Sequence, residues 1–193
     1  RVYVACQRLD RNNGFAPVGD SYLAVIDTGT DALVDMNPGV DGVLGIRLAA
    51  TSPYSMVAVG HQIILSEVGN FGDLEGGIEV IDADTGTSHG LVITETQLGG
   101  DVTTLDMVDQ ENGYAIVSDA SFANLVKPVN LQSGAVGAAL AGHSHGFTPD
   151  LAIDGNRLIV ADRGTFDNPD AAGLLVAQHG VLEALVDVGV VVD

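Results

Sequence analysis

Residues 21–35, SYLAVIDTGTDALVD, end an apolar run on Asp27-Thr28-Gly29-Thr30, and residues 79–93, EVIDADTGTSHGLVI, do the same with Asp84-Thr85-Gly86-Thr87. An Asp-Thr-Gly triplet behind an apolar run is the mark of an aspartic-protease carboxylate. Two copies therefore pose a choice between a catalytic dyad and two turns of a repeated β structure.

The surrounding chain favours turns. Four β-branched runs stand out: VYVA (2–5), IILS (63–66), AIVS (115–118) and LIVA (158–161). Each leads into a polar, Gly-rich stretch and then a second apolar run: YLAVID, GIEVID, LVKPVN and GLLVAQ. These end in glycine turns at Gly29, Gly86, Gly134 and Gly180, spaced 57, 48 and 46 residues apart. A third run follows each turn (ALVDM, HGLVIT, AVGAAL, VLEALVD). The first three units continue into a fourth: VLGIRLAAT, DVTTLDMVD and FTPDLAIDG. Helical periodicity is absent, and the fold class is all-β.

Four short strands in a repeat of about 40–50 residues is the period of a β-propeller blade. The reading is thus four visible blades and 15 strands, in units of approximately 1–39, 40–98, 99–142 and 143–193. Both Asp-Thr-Gly triplets fall in the turn between second and third strands, where Asp bonds its own backbone and Gly supplies positive φ. They are one repeat apart, not one lobe apart. The first unit lacks a strand before VYVA. Its open edge is expected to be covered by a further segment of a longer parent chain, by another copy, or by VGVVVD (188–193).

With the repeat laid out, the chain resembles the bacterial and archaeal surface propellers built from YVTN-type repeats. RVYVAC (1–6), LAVIDTGTDALVD (23–35) and TPDLAIDGNRLIVADRG (148–164) carry the likeness. It implies a secreted, cell-surface or periplasmic protein of more blades than are visible here. It also implies a binding or structural role more readily than enzymatic activity, since the fold hosts binding proteins, lactonases and scaffolds alike.

Charge narrows the partners. Lys and Arg total 7 against 26 Asp and Glu, a formal net charge of −19. Such a surface repels nucleic-acid phosphates and anionic lipid. No apolar run approaches the roughly 18 residues of a membrane span. Cys6 is the only cysteine, which excludes an intrachain disulfide and fits a small buried side chain.

Aligning the VYVA-type runs places Cys6, Glu67, Asp119 and Asp162 at one position, just past the strand end. A ring of carboxylates there could hold Ca²⁺ or another divalent cation, which takes six to eight oxygens; solvated loop acids are the alternative. In GHSHGF, His143 and His145 alternate, so both imidazoles could reach the same metal. Acid and imidazole ligands around a cation would resemble the gluconolactonase-like propellers, and that likeness implies a metal-dependent lactonase as the second functional reading. DRNNG (10–14) reads as an Asx turn rather than a calcium loop. Without Trp and with few aromatic residues, stacking platforms are expected to be scarce.

Overall fold

The structure, a computed structural model, describes residues 1–140, 146–168, 172–178 and 181–186. The first sheet starts with β1 (Val2–Cys6). A two-stranded ribbon, β2 (Leu9–Asp10) and β3 (Ala16–Pro17), interrupts it. It continues with β4 (Tyr22–Asp27), β5 (Ala32–Leu33) and β6 (Ile46–Arg47). The central strand is β4, paired with β1 on one side and with both β5 and β6 on the other. β5 and β6 are thus two halves of one broken outer strand.

The second sheet is a meander of β7 (Pro53–Val59), β8 (Gln62–Glu67), β9 (Gly77–Asp82) and β10 (Ser88–Thr94). One short helix, α1 (Glu95–Leu98), leads to the third. Its Thr94-Glu95-Thr96-Gln97 start is a capping box in which Thr94 and Gln97 bond each other's backbone N–H. The third sheet holds β11 (Asp101–Met107), β12 (Asn112–Ser118), β13 (Asn124–Asn130) and β14 (Ala135–Val136). The fourth holds β15 (Asp150–Asp154), β16 (Arg157–Asp162), β17 (Gly173–Gln178) and β18 (Val181–Val186). All pairings are antiparallel and, in the last three sheets, follow chain order. Among the described residues the chain is all-β but for one helical turn.

Each pair of consecutive sheets encloses an apolar layer. Leu23, Val25 and Ile46 of the first meet Ile63, Leu65 and Ile81 of the second. Ile64, Val80 and Ile93 on the opposite face meet Val102, Leu105 and Val117 of the third. Tyr114, Ile116 and Val126 then meet Leu151, Val160 and Leu175 of the fourth. The second and third sheets are therefore buried on both faces, which is why β8 and β12 read as continuous β-branched runs instead of alternating. Contacts between sheets run chiefly through the first strands: β11 lies against β7 on one side and β15 on the other. Among the described strands β1 pairs with β4 alone, whereas β8, β12 and β16 each have two neighbours. The segment 188–193, proposed above to cover that edge, lies outside the described residues.

Two sequence expectations are corrected. VLGIRLAAT does not open the second unit. Ile46 and Leu48 are buried against the second sheet from the first, and the chain reverses at Ser52 (φ +55°) before PYSMVAV takes the opening position. The described residues form 18 strands instead of 15, the additions being β2, β3 and β7.

The second correction concerns the turns. Asp27 Oδ1 accepts the N–H groups of Gly29 and Thr30 and the Thr30 hydroxyl. In the second sheet Asp82, not Asp84, does the same for Asp84 and Thr85. Asn130 repeats the pattern with Ser133. The repeating unit is Asp/Asn-x-x-Thr/Ser, and the left-handed position after it is Asp31, Gly86 or Gly134 (φ +53°, +73°, +69°). The two Asp-Thr-Gly triplets are offset by two residues and do not superpose. The fourth turn lies between the paired residues Gln178 and Val181, with Gly180 outside the described residues.

Candidate functional site

The loops that follow β1, β8, β12 and β16 each carry one phenylalanine: Phe15, Phe71, Phe122 and Phe166. These are 61, 53, 74 and 102 % exposed. Phe147, before β15, is 55 % exposed, and Tyr54, at the start of β7, is 61 %. All five phenylalanines of the chain are thus in water, although a buried Phe contributes on the order of 2 kcal/mol by leaving it. Exposed apolar patches are a common feature of interaction surfaces.

Five of these six rings line two adjoining clefts. One, of about 230 Å³, lies between Tyr54, Phe71, Phe122 and Phe147, floored by Thr103, Thr104, Ser118 and Asn124. The other, of about 450 Å³, lies between Phe15, Tyr54 and Phe71, with Gln7 and Asn70 in its wall. Tyr54 and Phe71 belong to both, so the clefts form one groove with a shared aromatic wall.

The loops are held by their own acids. Asp10 accepts the Asn12 N–H through its carboxylate and the Phe15 N–H through its carbonyl. Asp119 accepts the hydroxyl and N–H of Ser121 and the N–H of Ala123, which keeps its carboxyl below the usual range. Its carbonyl takes the Phe122 N–H at 2.8 Å. Both aromatics sit at φ +61°, a conformation uncommon for a bulky side chain and found where surrounding structure enforces it. Asp101, next to α1, holds the Gly72 N–H beside Phe71, and burial raises its pKa. Phe147 is fixed by its carbonyl, which accepts the Arg163 N–H, and by the Arg163 guanidinium 5.4 Å from the ring centre.

Each acid of the expected ligand ring has hydrogen-bond partners within the protein. Asp119 holds the Phe122 turn, and Asp162, almost fully buried, accepts the Gly164 N–H. Glu67 is fully buried and faces Glu79, its diagonal neighbour on β9. Glu67 Oε2 accepts the Ala50 N–H at 2.6 Å, Glu79 Oε2 the Ala49 N–H at 3.0 Å, and Glu79 Oε1 the Ser88 hydroxyl. Burial and the neighbouring Glu79 push Glu67 up to about 9. Glu67 Oε1 lacks a partner while no proton sits on it; protonated, it can donate to Glu79. This pair fastens the connector between the first two sheets. Glu95 fastens the next one, accepting the N–H groups of Gly76 and Val102, and burial raises it to about 7.

Cys6 is half-buried, its Sγ 3.6 Å from the Val4 carbonyl. His143 and His145 lie outside the described residues. Among the described residues no three or more His, Cys, Asp or Glu side chains gather as a metal group. Asp84 pairs with His61 at 2.8 Å on the exposed surface, and Asp27 holds its own turn. The groove and the buried Glu79 were both missed by sequence reasoning. The signal for the groove was the recurrence of one Phe in each long loop; for Glu79, an acid inside the apolar run GIEVID.

No family model matches the chain, and no curated protein matches it. Among solved structures it is similar to the computationally designed Ika8 protein, with 16% identity and a TM-score of 0.54 over 87% of this chain and 45% of that one. It is also similar to the computationally designed Ika4 protein, with 17% identity and a TM-score of 0.50 over 70% and 72% of the two chains. The chain thus spans less than half the length of Ika8, and at these identities the likeness concerns the fold alone.

Proposed function

We propose that the chain is part of a β-propeller, secreted or displayed at a cell surface, that works as a binding module through its aromatic loop face. One observation carries this reading: all five phenylalanines are exposed, four of them in the same loop of successive sheets. Random drift of apolar residues to the surface would not respect the repeat. The meander order of the sheets, their packing through β7, β11 and β15, and the period of the sequence support the propeller arrangement. Binding rather than turnover suits a cleft whose walls, from Tyr54 to Pro149, are aromatic, hydroxyl and amide groups without a charged side chain.

A neutral solvatochromic dye such as Nile red tests the face without knowledge of the partner. The native protein is expected to bind it saturably. The double variant Phe71→Ala/Phe122→Gly is expected to lose most of that signal with Tm unchanged or raised, because Gly at 122 relieves the left-handed backbone. Equal dye binding by both proteins, or a Tm lowered by more than about 6 °C (roughly 2 kcal/mol for a chain of this size), would make the rings structural.

A further inference from the structure

Resting on the loop face being a binding surface, we infer that its ligand is an extended protein segment with apolar side chains flanked by Lys or Arg. The groove has two largely apolar seats that share Tyr54 and Phe71. Its polar surface includes Gln7, Asn70, Thr103, Thr104 and Asn124, which carry no charge and keep oxygens that can accept from peptide N–H groups. A chain of alternating side chains and peptide groups matches that combination of apolar seats and neutral hydrogen-bonding floor.

Charge selects among such segments. The loops bearing the phenylalanines also carry Asp10, Asp20, Asp73, Glu75, Asp119 and Asp167, against Arg8, Arg11 and Arg163. Two of those three arginines lie over rings of the protein itself, Arg8 over Tyr22 and Arg163 over Phe147. The net charge of −19 adds a long-range field that draws in basic ligands and turns away acidic ones. The open faces of Tyr54 and Phe122 are further acceptors for an ammonium or guanidinium group.

Selection from a displayed random-peptide library against the intact chain tests this. The expected winners carry two apolar residues bracketed by Lys or Arg. Affinity of a winning peptide should fall about tenfold between 50 and 500 mM salt as the charges are screened. It should fall by a similar factor in Asp73→Asn/Glu75→Gln, which keeps Nile red binding. Winners that are acidic or uncharged, salt-independent affinity, or no winners from a protein that still binds Nile red would overturn the peptide assignment and leave the loop face standing. Loss of Nile red binding as well would remove the face itself. Glycan-array binding without peptide enrichment would assign the groove to carbohydrate and also overturn the proposal.

Discussion

Asp31 and Gly134 occupy the same left-handed position of the same turn, one with a side chain and one without. An L-residue there costs about 1–2 kcal/mol, less for Asp, whose side chain can bond locally. Asp31→Gly is therefore expected to leave Tm unchanged or raise it. Gly134→Asp is expected to lower stability by about 1 kcal/mol. Thermal melts of the two variants check the assignment, and the reverse order would mean the turns have been superposed wrongly. The same position explains how the sequence misleads. Glycine serves twice in these turns, at Gly29 as a spacer with ordinary backbone and at Gly86 for its positive φ, so matching glycine to glycine shifts the register by two. The repeat of hydrogen bonds from Asp27, Asp82 and Asn130 has no such ambiguity, but hydrogen bonds are not written in a sequence.

At the scale of elements, strands were legible and their fastenings were not. VYVA, IILS, AIVS and LIVA announce β1, β8, β12 and β16 by their β-branched composition. β8 and β12 are apolar along most of their length because their sheets are buried on both faces, whereas β1 leaves Val2 and Val4 exposed. Glu79 looks solvent-facing in GIEVID, since nothing local shows that N–H groups from another sheet's connector will reach it. The carboxyls on these connectors give stability an unusual pH dependence. Glu67 and Glu95 both have folded-state values above the ordinary 4.5, about 9 and about 7, so the folded protein holds their protons more tightly than the unfolded chain. That contribution is complete below about pH 4.5 and is lost as pH rises through 7 and then 9. The turn acids Asp27, Asp82, Asp109 and Asp119 are shifted downward and act oppositely, losing stability only as pH falls below their ordinary range. Tm should therefore decline from pH 5 to pH 9. Glu67→Gln cannot ionise but keeps an acceptor for Ala50; it should melt within about 3 °C of the wild type (roughly 1 kcal/mol) at pH 5 and above it at pH 9. A wild-type Tm that climbs through this range would show Glu67 to be ionised in the fold.

For the whole molecule, the equivalent loops of the first three sheets bring Phe15, Phe71 and Phe122 to two adjoining clefts, where Phe147 joins them. A loop Phe has no periodic neighbours, so its exposure could not be read from the chain, and a small aromatic total was a poor guide to display. With five phenylalanines and no tryptophan, selective ¹³C labelling of Phe gives a nearly empty aromatic spectrum in which every ring is counted. A soluble paramagnetic agent added to the free protein should broaden all five ring signals, and Phe71 should show ring-to-ring contacts with Tyr54. Two or more Phe rings shielded from the agent would place those rings in a core, and Phe71 without contact to Tyr54 would remove the shared wall of the groove; either result would contradict the loop face as a recognition surface.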